Sequence, residues 1–169
     1  MRTKHVVVLP YDEKWAQEFE LIRKELSSAL SSIPTMIEHV GSTAVKGLCA
    51  KPIIDIDVVV AETDLSIAIR LLQSAGYIYE GDLGIKGREA FSYEGKDHLM
   101  THHLYVCPTN SAELKRHLAF RDYLRTHPAQ VEEYEEIKSR AASLYPDDVD
   151  KYIEYKSPFI EKTYRSLGF

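Results

Sequence analysis

From Trp15 onward, apolar residues return every three or four positions, at Trp15, Phe19, Ile22, Leu26 and Leu30, with charged and polar residues between them. One apolar stripe on a charged rod marks a helix that packs a single face on a core. Asp12 stands at a capping position and Pro34 lies beyond the last periodic residue, so the spacing predicts a helix over residues 12–32. The period then shortens. Met36 to Val40 reads as a short strand that runs into Gly41-Ser42, and Ile53 to Ala61 is a β-branched run broken only by Asp55 and Asp57. Helical spacing returns over residues 63–75 and stops at Gly76. Tyr77 to Glu80, Ala90 to Glu94 and Leu99 to Cys107 read as strands, with Gly81, Gly84, Gly87 and Gly95 marking turns and a flexible loop.

Beyond Pro108 the helical period dominates. Asn110 with Glu113 has the form of a capping box ahead of Leu114, Leu118, Tyr123 and Leu124. His127-Pro128 interrupts that helix and starts another near Ala129, and Pro146-Asp147-Asp148 separates a last helix over residues 148–166. The pattern predicts an α+β fold in one domain over 1–169, with an α/β half at 1–108 and a helical half at 109–169.

Composition narrows the class. The chain has 169 residues with 44% hydrophobic content, enough for a core of its own. A formal charge of -5 argues against stable nucleic-acid binding, which depends on phosphate neutralisation, and leaves room only for a local basic pocket. Cys49 and Cys107 are far apart and form no C-x-x-C pair, which argues against a zinc knuckle or a secreted disulfide framework. After Met1-Arg2-Thr3-Lys4-His5, the apolar run Val6 to Leu9 is too short for the core of a secretory signal, and no run of about 18 apolar residues occurs. A cytoplasmic protein without a membrane partner is expected.

The Asp-Ile-Asp in mid-strand is where chemistry enters. Side chains alternate along a strand, so Asp55 and Asp57 share one face while Ile54, Ile56 and Val58 take the other. Two neighbouring carboxylates repel unless a cation lies between them, and Mg²⁺ or Mn²⁺ suits oxygen ligands. Gly41 permits close backbone approach, Ser42 supplies a hydroxyl and an N–H, and Thr43 offers another donor, a set suited to a triphosphate. Twelve residues separate Ser42 from Asp55, enough for the chain to return beside the turn. Simpler roles exist for each: Gly41 as a turn, Ser42 as a helix cap, and the aspartates as buried ion pairs with Arg or Lys.

The order apolar-Gly-Ser, a gap of about a dozen, then Asp-apolar-Asp resembles the signature of the DNA polymerase β-like nucleotidyltransferase superfamily. Ile37 to Leu48, with Ala50 to Ile56, resembles its GrpB-like branch more specifically. Leu9 to Asp12 with Trp15, His117 to Arg125, and Tyr155-Lys156 extend the resemblance over nearly the whole chain. It implies a nucleotidyltransferase-like mixed β-sheet packed with helices, plus a helical C-terminal part, a unit sometimes fused to dephospho-CoA kinase. It implies no agreed substrate.

One departure matters. Active members of the superfamily add a third carboxylate from a later strand, and Leu99 to Cys107 contains no Asp or Glu. By alternation His103 faces the same side as the aspartates, as a third ligand or as a base. His98, His102 and His103 do not converge on a regular strand, which favours structural or surface roles for the first two. Arg121 and Arg125, four apart on a helix, with Lys51, Lys138 and Lys156, are candidates to meet phosphate. The leading expectation is metal-dependent transfer of a nucleoside monophosphate from a nucleoside triphosphate to a small-molecule or protein acceptor. Asp55, Asp57 and His103 form the metal site, and Gly41, Ser42, Thr43, Lys51, Arg121 and Lys156 bind nucleotide. A binding module for a nucleotide or CoA-related ligand that has lost turnover, and a metal-dependent phosphohydrolase, are the alternatives.

Overall fold

A computed structural model describes residues 5–169. Residues 1–4, which open the segment considered above as a leader, lie outside the described residues. Helix α1 (Lys14–Ala29) buries Trp15, Phe19, Ile22 and Leu26, the predicted stripe. Asp12 Oδ1 accepts from the Lys14 N–H at 2.9 Å. The helix ends near Leu30 instead of residue 32. Strand β1 (Met36–Val40) leads through a short 3₁₀ turn at Ser42–Ala44 towards β2 (Ile54–Val60). The next predicted helix is divided: a 3₁₀ turn at Glu62–Asp64 precedes α2 (Leu65–Ser74). Gly76 then adopts φ +90°, the left-handed conformation of a helix terminus.

Strands β3 (Tyr77–Gly81), β4 (Glu89–Tyr93) and β5 (His102–Pro108) complete a five-stranded sheet of order β1-β2-β5-β4-β3. The β2/β5 pair is parallel and the other strand pairs are antiparallel among the described residues, so the sheet is mixed. Strand β5 starts three residues later than its pattern predicts. Residues 96–99 form a turn in which the Leu99 N–H reaches Lys96 O, and the Lys96 ammonium is held by Glu25 at 2.6 Å and by Ala75 O.

The two faces of the sheet differ as the alternation requires. Ile54, Ile56, Val58 and Val60 from β2, with Leu104 and Val106 from β5, pack against α1 and α2 in the main core. The other face presents Asp55 and Asp57, and the register sets them opposite His103 and Tyr105.

Three helices, α3 (Ala112–Thr126), α4 (Pro128–Leu144) and α5 (Val149–Ser166), follow. The capping box assigned to Asn110 is corrected: Ser111 is the cap, accepting from the Leu114 N–H at 3.2 Å, while Asn110 reaches towards Glu62. A second core joins these helices to the loop after the Gly41 turn through Val45, Leu48, Leu124, Tyr134 and Phe159. That core holds the helical half over the polar face of the sheet. No helix among the described residues is long and apolar enough to cross a membrane.

Candidate active site

The antiparallel register of β1 and β2 pairs Val40 with Asp55, so the chain leaving β1 turns beside that carboxylate. Gly41 makes the turn with φ +72°, and a Cβ there would lie 2.3 Å from Asp55 Oδ2. Both the conformation and the space require glycine. Arg125 fixes the far side of the turn, donating from Nε and Nη2 to Ala44 O at 2.9 and 2.8 Å. Thr43 is buried, with its hydroxyl 2.9 Å from His39 Nε2, and it lines the smaller cavity beside Asp55 as well as supporting the turn. His39 stacks on Phe19, and burial lowers its pKa to about 4, leaving it neutral at physiological pH.

Each aspartate carries one imidazole. His103 Nδ1 donates to Asp55 Oδ1 at 2.8 Å, and His117 Nδ1 donates to Asp57 Oδ2 at 2.6 Å. A carboxylate only accepts, so both Nδ1 atoms carry hydrogen. The pairs differ in access. The Asp55 side chain is 33% exposed, whereas that of Asp57 is fully buried. Asp57 Oδ1 has no hydrogen-bond partner among the described residues. Burial disfavours charge on His117, but the hydrogen bond and charge of Asp57, with Glu113 beyond, outweigh it and raise its pKa. His117 was not among the expected site residues. It lies on α3, sixty residues from its partner in sequence.

Helix α3 crosses the sheet so that His117, Arg121 and Arg125, each four residues on, meet successive elements: Asp57 on β2, Glu38 on β1 and Ala44 in the turn. Arg121 Nη1 donates to Glu38 at 2.6 Å and to His39 O at 3.1 Å, and its Nε donates to Asp122. It braces helix to sheet and does not line the cavities beside Asp55. Ser42 does line them.

Two cavities meet at Asp55. The smaller, about 70 Å³, is lined by Lys51, Lys138 and Lys156 together with Ser42 and His103. Lys138 is buried and donates to Cys49 O at 2.5 Å; burial and the Lys156 charge lower its pKa to about 7. Burial and the Lys51 charge likewise lower Lys156 to about 8. Burial lowers Lys51 as well. Lys51 and Lys156 both lie over the Tyr152 ring, at 5.8 and 5.1 Å. The larger cavity, about 260 Å³, runs from Gly41 and Asp55 to Arg88, between aromatic walls that include Tyr105, Phe120 and Tyr164.

The remaining histidines do not converge on the aspartates. His98 pairs with Glu25 at 2.7 Å on the surface. His102 faces the core, donating from Nδ1 to Met100 O and stacking on Tyr93. Among the described residues, no group of three or more His, Cys, Asp or Glu is arranged to hold a metal ion.

The order of these parts along the chain and in space is that of a known family. A family model described as GrpB protein matches residues 5–166. The chain belongs to the GrpB family. It is 34% identical over 159 residues to the UPF0157 protein YqkA of Bacillus subtilis, covering 94% of this chain and 46% of that protein. It is 33% identical to the glutamate-rich protein GrpB of Alkalihalophilus pseudofirmus, covering 93% and 92%. A more distant relative, 27% identical over 183 residues, is the dephospho-CoA kinase of Mycobacterium bovis, of which the match spans 45%. The chain thus spans about half the length of some of its relatives and nearly all of others.

Among solved structures, the conserved protein GrpB from Enterococcus faecalis is similar with a TM-score of 0.79 and 33% identity, covering 95% of this chain and 99% of that one. Cid1 in complex with its short product ApU is similar with a TM-score of 0.55 and 14% identity, covering 79% and 42%. At that identity the likeness is one of fold, and the GrpB fold here is nucleotidyltransferase-like.

Proposed function

We propose that this GrpB-family chain is a metal-dependent nucleotidyltransferase that moves a nucleoside monophosphate from a nucleoside triphosphate to an acceptor. The observation that carries the reading is the pair Asp55 and Asp57 on one face of β2 beside the Gly41-Ser42 turn, with a buried Asp57 oxygen that has no hydrogen-bond partner among the described residues. Mid-strand carboxylates are costly to bury without compensation, and an orphan oxygen calls for a ligand. The likeness in fold to Cid1, a poly(U) polymerase with structures bound to MgATP and to a UTP analogue, supports the nucleotide as donor.

The donor set fits a hard divalent cation, Mg²⁺ or Mn²⁺: Asp55 and Asp57 offer carboxylate oxygens, with the remaining coordination left to phosphate and water. When bound, such an ion offsets negative charge that develops on the reacting phosphoryl group. Ser42, at the glycine turn, offers its hydroxyl and N–H to phosphate oxygens. Lys51, Lys138 and Lys156 offset the charge of departing pyrophosphate. His103 holds Asp55 through Nδ1, so in this reading it orients the carboxylate and leaves Nε2 to take the acceptor's proton. The acceptor nucleophile bonds to the α-phosphorus as the bond to the pyrophosphate oxygen breaks.

One observation favours a second reading, a nucleotide-binding module without turnover: β5 sets His103 and Tyr105, and no carboxylate, opposite the two aspartates. Calorimetric titration of ATP, GTP, CTP and UTP with Mg²⁺ or Mn²⁺ tests what both readings share. The wild type is expected to bind at least one of them, and the doubly substituted Asp55→Asn, Asp57→Asn protein to lose it; equal binding in both, or none in either, contradicts the site. Labelled nucleotide with a panel of acceptors then separates the classes. Pyrophosphate release supports transfer, orthophosphate release a phosphohydrolase, and tight binding without release the module.

A further inference from the structure

The larger cavity ends at a cation that the proposed transfer leaves unused. We infer that Arg88 forms an anion seat that receives the acid group of a small acceptor molecule. The assignment of an acceptor rests on the proposed transfer; the seat itself does not.

Arg88 stands just before β4, and its backbone is fixed from the neighbouring helix. The Ser111 hydroxyl, which caps α3, donates to Gly87 O at 2.7 Å, and Gly87 adopts φ +77°. The Arg88 guanidinium lies over the Tyr105 ring at 4.3 Å, and Tyr105 is the register partner of Asp57. Arg88 therefore extends across the residue beside the buried carboxylate. Its Nε is buried and has no hydrogen-bond partner among the described residues. Arg121 and Arg125, by contrast, are each engaged by carboxylate or carbonyl oxygens. A buried N–H without a partner is costly, and a planar guanidinium matches carboxylate or phosphate with two parallel hydrogen bonds. Stacking on Tyr105 holds the fork in one plane before any ligand arrives.

The rest of the cavity defines what such an anion is attached to. Phe120 and Tyr164 provide apolar wall, and Asp55 and Ser42 lie at the end where phosphate chemistry is proposed. About 260 Å³ holds a molecule of metabolite size. A neutral base edge can accept hydrogen bonds from a guanidinium but leaves its charge unmatched, whereas an acid group on the acceptor meets both, so the seat is assigned to the acceptor. The predicted acceptor has a carboxylate or phosphate at one end and its nucleophile at the other, pointing to Asp55.

Phenyl phosphate, with benzyl alcohol as the neutral control, probes the seat without nucleotide or metal. Titrations monitored by NMR are expected to show phenyl phosphate binding at least about tenfold more tightly than the alcohol, the preference that charge-assisted hydrogen bonds supply. Arg88→Met should abolish the preference and Arg88→Lys should keep part of it, with circular dichroism melts confirming that each variant folds. No preference in the wild type, or an unchanged one in Arg88→Met, overturns the seat. With a saturating non-hydrolysable nucleotide and Mn²⁺ present, phenyl phosphate should still bind, and mutual exclusion overturns its assignment to the acceptor. If no nucleotide binds the protein at all, the transfer reading fails, while the seat stands or falls on the first titration.

Discussion

The two carboxylate–imidazole pairs of β2, one made with β5 and the other with α3, have the same chemistry and different surroundings. Asp55 with His103 lies at the junction of two cavities, partly open to solvent, whereas Asp57 with His117 is closed beneath α3 and keeps a spare oxygen. Exposure decides how much each pair contributes to the fold. An accessible ion pair is weakened by water and adds little, while a buried charge depends on its partner. The open pair reaches both cavities through Asp55, and the closed pair joins the helical half to the sheet.

The sharpest break of this comparison is to remove each acid in turn. Asp57→Ala should destabilise the fold by about 3 kcal/mol, because His117 loses its charge partner in a buried setting. Asp55→Ala should cost about 1 kcal/mol or less. Urea denaturation of the two variants measures the difference, and equal losses would show that the pairs are not distinct. Gly41→Ala comes next. The left-handed φ should cost about 1–2 kcal/mol, and the new methyl must displace the Asp55 carboxylate, so nucleotide binding should fall much further than stability does. Calorimetry and a thermal melt on the same sample separate the two effects.

Two pH effects sharpen the comparison. Lys138 and Lys156, lowered to about 7 and about 8, lose charge as pH rises through that window, so triphosphate affinity should weaken from pH 7 towards pH 9. A calorimetric pH series reads this directly. The smallest expected effect concerns His117. Its folded pKa is raised, so the folded state binds the proton more tightly; the resulting stability is present below pH 6.5 and is lost as pH rises through the higher folded value. The two lysines contribute a slope of opposite sign, since their folded values are lowered. The urea midpoint should therefore be compared between wild type and His117→Gln across pH 6 to 9, where the difference between them should shrink with increasing pH.

How much of this was legible in the sequence depends on whether a feature is local. The stripe of α1, the Met36–Val40 strand and the shared face of Asp55 and Asp57 follow from periods of 3.6 and 2, and the structure places them so. Gly41-Ser42 was legible as a turn, and the register of β1 on β2 brings it against Asp55. His117 was not. Its spacing of four from Arg121 was visible, but its partner is set by how α3 crosses the sheet. The same crossing turns Arg121 towards Glu38, where the family resemblance implies a phosphate contact. Thr43 lines the smaller cavity beside Ser42, but spacing alone does not reveal that its hydroxyl meets His39, which is fixed by packing on Phe19. Arg88 gave no signal at all, because what distinguishes it is a buried Nε without a hydrogen-bond partner among the described residues.

The proposed transfer requires Asp55 and Asp57 to hold one divalent ion between them. Crystals grown with Mn²⁺ and a non-hydrolysable nucleoside triphosphate, measured at a wavelength where manganese scatters anomalously, test it most directly. An anomalous peak is expected in contact with oxygens of both aspartates and with the phosphates of a nucleotide that reaches Ser42. A nucleotide bound with no peak there, or a peak held by histidine nitrogens away from Asp57, would contradict it.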